Sequence, residues 1–231
     1  NVLMFYIFYE ILALAGAFMI LRSGHKSRAA ALQFLLYTFV GSLLFLVALV
    51  VVYVLHGQQT GIYNFSILQL ADTRITGGLG IWLFLGMVAG LAVKMPLFPL
   101  HSWAGTGYGN AAPAGSVFLS GAAVTAGAYG LIHFAIPMLP QAALEFAPVG
   151  IILGAIGTLY GAFLALNAAN LRLFAAWASV SHMNLVALGL FALQTQAIHG
   201  SVFLLIAHGV VSAGLFGEEG PIQGPDCTEN N

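Results

Sequence analysis

Ala92-Val93-Lys94-Met95-Pro96-Leu97-Phe98-Pro99-Leu100-His101-Ser102-Trp103 decides how the chain is read, because it sets a lysine and two prolines at the end of an apolar run. From Ile81 to Val93 no side chain ionises, so the Lys94 ammonium is expected well inside a bilayer. A lysine at that depth costs about 2.5–3.5 kcal/mol on insertion and by default marks a functional position. Pro96 cannot donate to the carbonyl of Ala92, nor Pro99 to that of Met95, so the spacing predicts a helix that kinks or breaks just past the lysine. The freed carbonyls then need neighbouring side chains, water or an ion.

Composition puts that stretch in a membrane. The 231 residues are 60% hydrophobic and 6% charged, where soluble domains carry roughly 25% charged residues. A formal net charge of −1 offers no electrostatic footprint for nucleic acid, so the expected surroundings are a lipid bilayer and no nucleic acid. The single cysteine, Cys227, excludes a disulfide framework, a Cys-x-x-Cys site or a thiolate-held iron–sulfur cluster within this chain. Cofactors are therefore expected in partner chains and none here. The chain opens on Asn1 with no basic region before its first apolar run, which reads as a piece of a longer protein rather than a signal peptide.

Outward from Lys94, the apolar runs separate at polar, Gly and Pro clusters into about seven transmembrane segments: 2–21, 29–55, 79–100, 114–139, 148–167, 171–193 and 198–216. The expected architecture is all-α, a polytopic membrane helix bundle with a Pro-broken helix, over 1–216, followed by a polar disordered tail, 217–231. The connection His56 to Gly78 is long enough for a short interfacial element and receives no catalytic role. Gly86 and Gly90, Gly150 and Gly154, and Gly157 and Gly161 are spaced to let neighbouring helices approach closely. If the segments alternate, the loops after the first, third and fifth share a side and hold Arg22, Lys26, Arg28 and Arg172, against Arg74 alone opposite; the first set is then cytoplasmic or matrix-side.

Five protonatable residues stand in or beside these runs: Glu10, Lys94, His101, His182 and His208. Glu10 lies mid-span in the first segment, where a carboxyl needs the bundle interior because hydrocarbon offers no hydrogen bonds. A lone core histidine is usually structural. Two on adjacent segments, each beside hydroxyl or amide side chains, suit a polar path, since imidazole takes and gives a proton near neutral pH. A Glu10–Lys94 pair at about 10 Å would interact by about 1.7 kcal/mol at an effective dielectric of about 20, enough for one group's proton to govern the other's. The inventory suits proton transfer, and no His or Glu spacing suggests a metal.

Val93 through Trp103, Ala112-Pro113-Ala114-Gly115-Ser116-Val117, Gly127-Ala128-Tyr129-Gly130-Leu131, Ser179-Val180-Ser181-His182-Met183 and Ala207-His208-Gly209 through Phe216 together resemble the antiporter-like subunits of respiratory complex I. The match runs in order from Asn1 to about Phe216. The resemblance implies a module of two inverted five-helix repeats, of which this chain covers the middle from the family's fifth helix. It implies that Glu10 and Lys94 form a central charge pair and that His101, His182 and His208 belong to a hydrophilic proton axis. It implies a proton-translocating subunit of NADH:quinone oxidoreductase beside other membrane subunits of complex I, with NADH, FMN, iron–sulfur clusters and quinone in partner subunits. The expected location is the bacterial inner membrane, with the mitochondrial inner membrane and chloroplast thylakoid as alternatives. Other readings are a multisubunit Na+/H+ antiporter, a membrane-bound hydrogenase, or a non-conducting scaffold derived from the module. Departures from the family pattern mostly remove charge: Thr125 at a usual channel lysine, Gln33 at a usual lysine, Ala104-Gly105-Thr106-Gly107-Tyr108 for Leu-Pro-Asp-Ala-His, and Asn170-Leu171-Arg172-Leu173 for Asp-Leu-Lys-Arg.

Overall fold

The computed structural model describes residues 1–23, 27–75 and 77–217, nearly all in helices. Helix α1, Val2–Leu21, starts where the Asn1 side chain accepts from the amides of Leu3 (3.0 Å) and Met4 (3.4 Å), satisfying donors that a helix start leaves unpaired. Helix α2, Ser27–Thr60, has 34 residues and is about 51 Å long, well beyond the roughly 30 Å of hydrocarbon. A short helix α3, Ile67–Ala71, occupies the connection where an interfacial element was expected. Helix α4, Gly78–Lys94, follows, then α5, Ser102–Asn110.

The second half contains α6, Pro113–Met138, α7, Pro140–Leu166, α8, Leu171–Phe191, and α9, Thr195–Gly217. Six described helices are long and apolar enough to cross a membrane; α4 is the shorter seventh. Gly217, placed with the tail by composition, closes α9, and the rest of that expected tail, 218–231, lies outside the described residues. Lys26, counted among the cytoplasmic charges, lies outside them too.

Two boundaries differ from the sequence reading for a physical reason. The apolar run 79–100 is helical only to Lys94, since the prolines stop the ladder there and 95–101 forms turns with a cis Phe98–Pro99 bond. The run expected from Pro148 begins at Pro140, a residue suited to a first helical turn, and Pro148 lies inside the helix. Helix α6 is not uniform either: 119–123 and 131–135 are wide π turns, with Val124 donating to Leu119 five residues back. Such turns leave carbonyls free for other partners.

Contacts at the helix ends support the alternation of sides. Ser23 Oγ accepts from the amide of Ala112 (2.6 Å), and Arg172 donates to the carbonyl of Ala111 (3.2 Å), so the ends of α1 and α5 and the start of α8 share one face. Opposite, the amide of Val2 donates to the carbonyl of Phe65 (3.0 Å), while Gln59 and Arg74 exchange two hydrogen bonds.

The glycine pairs do what their spacing predicted. A Cβ on Gly90 would stand 2.5 Å from the carbonyl oxygen of Gly41, so α2 and α4 cross backbone to backbone. On α7, Gly150, Gly154, Gly157 and Gly161 line the seam with α8, where side chains would meet Phe191, Leu188, Asn184 and Ser181. Large apolar side chains such as Phe8, Phe18, Leu36, Phe163 and Phe203 point outward, as a bilayer or neighbouring helices require.

Candidate functional site

The broken helix closes its hydrogen bonds one carbonyl at a time. Met95 donates to Leu91 (3.0 Å), and the amide of Leu97 takes the Ala92 carbonyl (2.9 Å) that Pro96 cannot reach. Trp103 Nε1 donates to the Val93 carbonyl (2.7 Å), and the Tyr9 hydroxyl donates to the Gly90 carbonyl (2.9 Å). Pro96 and Phe98 are bonded by Asn184 of α8. Backbone that would be intolerable in lipid is thus buried in protein.

Lys94 ends α4 and is 1% exposed. Its Nζ donates to the main-chain carbonyl of Tyr9 and stands 3.3 Å from the centroid of the Tyr9 ring, a cation–π placement. Glu10, the next residue on α1, is half-buried, lies within interaction range of the Ser42 side chain on α2, and acts electrostatically on Lys94. Its Oε1 is buried with no hydrogen-bond partner among the described residues. The lysine and the glutamate therefore share a site, but the lysine engages the backbone beside the carboxyl.

His101 ends the turn after the break, buried among aromatic rings. Phe98 stacks on it at 5.6 Å, while Tyr160 and Trp177 meet it edge-on at 5.1 and 6.3 Å. Its Nδ1 is unpartnered. Further on, His182 of α8 and His208 of α9 set their rings 5.7 Å apart, and His208 faces the backbone carbonyl of Ser120 in the first π turn of α6. His208 Nε2 is unpartnered as well. The five residues thus fall into a Glu10–Lys94 cluster, a His182–His208 cluster, and His101 on the segment that Asn184 joins to α8.

Thr125 bonds its own helix, donating to the carbonyls of Gly121 (2.8 Å) and Ala122 (2.9 Å), as a threonine in an apolar helix does. Two other charge-removing positions meet. Thr106 Oγ1 donates to Gln33 Oε1 (2.9 Å), and one turn away Ser102 donates to the Tyr37 hydroxyl (2.8 Å), so α2 and α5 share a neutral polar seam.

Sequence reasoning assigned Ser42 and Tyr9 no part, and took Asn184 only as an amide beside His182. Ser42 lies on a largely apolar helix, and its face with Glu10 follows only from tertiary packing. Asn184 carried a signal, an amide in an apolar helix two residues past His182.

Comparison with known proteins places the chain in a family. Subunit M of NADH-quinone oxidoreductase from Escherichia coli (strain K12) is 36% identical over 222 residues, covering 94% of this chain and 44% of that one. NADH-ubiquinone oxidoreductase chain 4 of Prototheca wickerhamii is 38% identical over 218 residues, covering 94% and 40%. Among solved structures, respiratory complex I from Thermus thermophilus with bound NADH contains a chain that superposes with a TM-score of 0.85 at 31% identity, covering 93% of this chain and 45% of that one. The chain spans less than half the length of the curated relatives it matches. The family model described as NADH:quinone oxidoreductase/Mrp antiporter, TM, matches residues 1–227, and the chain belongs to that family.

Proposed function

We propose that this chain is the central part of a proton-translocating membrane subunit of NADH:quinone oxidoreductase, working beside the other membrane subunits of complex I. The observation that carries the reading is Lys94, fully buried at a helix break and bonded to the helix that bears Glu10. An ammonium so placed has no structural need that a leucine would not meet at lower cost. Elsewhere in the site, buried atoms on Glu10, His101 and His208 without a hydrogen-bond partner among the described residues leave lone pairs or N–H groups open for exchange. Protons pass by way of Glu10, Lys94, His101, His182 and His208. Electrons pass from NADH through FMN and iron–sulfur clusters to quinone in partner subunits, and this chain holds none of these groups.

The membrane is a bacterial plasma membrane in this reading, in keeping with the E. coli relative, with the mitochondrial inner membrane as the alternative. The face holding Arg22, Arg28 and Arg172 is cytoplasmic by the positive-inside rule.

Lys94→Ala and Glu10→Gln in the intact parent complex test the relay; each should sharply lower protons moved per electron. Pumping unchanged at matched electron flux would overturn it. A second reading, a subunit of an Na+/H+ antiporter, draws on the family description, which covers Mrp antiporters as well. Flavin and NADH-driven quinone reduction co-purifying with the chain favour the first reading, and cation-dependent pH changes in vesicles holding the assembly without electron flow favour the second.

A further inference from the structure

Asn184 joins the two halves of the site although its carboxamide does not ionise. It is 1% exposed on α8. Its Oδ1 accepts from the amide of Phe98 (2.9 Å), and its Nδ2 donates to the carbonyls of Pro96 (3.2 Å) and, one turn back on its own helix, Val180 (2.8 Å). Pro96 and Pro99 lack amide protons, so segment 95–101 cannot close its own helical turns and must find partners outside itself. A carboxamide presents an acceptor and donors in one plane, as a peptide group does. Asn184 therefore takes the place of the missing helical turn.

The fit is enforced from behind. A Cβ on Gly157 of α7 would overlap the Asn184 carboxamide and approach the Phe98 Cβ to 2.9 Å, and one on Gly154 would stand 3.0 Å from the main-chain carbonyl oxygen of Asn184. On the far side, the ring of Phe98 stacks on His101 with an interplanar angle of 22°. The amide fixed by Asn184 thus belongs to the residue that backs His101, in a segment that begins one residue past Lys94.

We infer that Asn184 is a positioning residue: by bonding Pro96 and Phe98 it fixes segment 95–101 against α8, and so sets where Lys94 and His101 stand relative to the helix that carries His182. The inference rests on the proton-relay reading above, and its test is chosen to fail separately from it.

The test uses the parent complex with Cys227→Ser in this chain and Leu97→Cys as a reporter on the buried segment. With Asn184 present, N-ethylmaleimide should label position 97 slowly. With Asn184→Leu, labelling should rise by about tenfold or more, and protons moved per electron at matched flux should fall to about half or less. Asn184→Asp, which keeps an acceptor for Phe98 but loses the donors, should fall between. Should Asn184→Leu prevent assembly, Gly157→Ala displaces the same carboxamide with Asn184 retained and should give the same pair of changes. A reporter thiol that stays protected, with unchanged pumping in the assembled variants, overturns the inference, as does a released segment with unchanged pumping. Normal pumping by Lys94→Ala sinks the relay instead, while the labelling still reports whether Asn184 fixes the segment.

Discussion

Lys94 is joined to Tyr9 twice, by a hydrogen bond from its Nζ to the Tyr9 main-chain carbonyl and by its place 3.3 Å above the Tyr9 ring centroid. The carboxyl of Glu10 is thereby left one residue away with Oε1 unpartnered. Tyr9 in turn bonds the carbonyl of Gly90, one turn before the lysine. The ring and hydroxyl thus carry separable contributions. Tyr9→Phe keeps the cation–π contact and loses one neutral hydrogen bond, an expected cost of about 0.5–1.5 kcal/mol with pumping largely retained. Tyr9→Leu removes the ring, worth about 2 kcal/mol where desolvated, and should lower both thermal stability and pumping. Thermal unfolding and proton-to-electron ratios of the two variants check the separation.

Close approach of α2 and α4 makes a graded series of alanine substitutions informative. A Cβ at Gly90 would meet the Gly41 carbonyl oxygen at 2.5 Å and the Phe45 Cβ at 2.7 Å, whereas one at Gly41 meets the Val93 side chain at 3.0 Å. Gly90→Ala should cost about 1–3 kcal/mol by forcing backbone apart, and Gly41→Ala less, because a side chain can yield. Gly121→Ala, with open space around it, should gain up to about 1 kcal/mol from helix propensity. Thermal denaturation of the solubilised complex gives the order, and equal effects at all three would refute the crossing as described.

Trp103 caps the break through a 2.7 Å bond from Nε1 to the Val93 carbonyl, with its ring fully buried. Trp103→Phe should cost about 1–3 kcal/mol for the buried carbonyl left unpaired, in addition to the lost volume. Loss of assembled complex at raised temperature, ahead of any loss of electron transfer at low temperature, is the expected pattern.

The His182 and His208 rings are near enough to act as one unit. Single replacements His182→Gln and His208→Gln should each lower proton pumping, and the double variant should lose much less than the two effects added. Simple additivity would place the two histidines on separate paths. Thr125→Val, by contrast, removes only bonds to its own helix and should leave pumping unchanged.

What the sequence reveals here is mostly what a bilayer enforces. The seven apolar runs reappear as helices because lipid forces each backbone to bond within itself. The break past Lys94 was legible because two prolines remove named donors. Helix α5 was not: Ser102-Trp103-Ala104-Gly105-Thr106-Gly107-Tyr108-Gly109-Asn110 has the composition of a loop, and becomes a helix because α2 and α8 enclose it. The π turns of α6 left no mark in the composition. Of the site, the ionisable members were legible because charge is rare in such a chain; Ser42 and Tyr9 were hidden, as were the bonds of Asn184 to the broken segment, because those roles depend on which neighbour each side chain meets. The exchange of partners at Lys94, backbone in place of carboxylate, is likewise a matter of distance alone.

The seam of Ser102 and Thr106 against Tyr37 and Gln33 has a consequence for a chain whose helices are long and apolar enough to cross a membrane. A transmembrane voltage acts on charge, at about 2.3 kcal/mol per elementary charge per 100 mV, and these four side chains carry none. Neither the voltage nor dissolved salt pulls on the join between α2 and α5. A charge such as that of Lys94 on α4 or Glu10 on α1 would feel that voltage, whereas the seam that holds α5 to α2 is fastened by groups the field leaves alone.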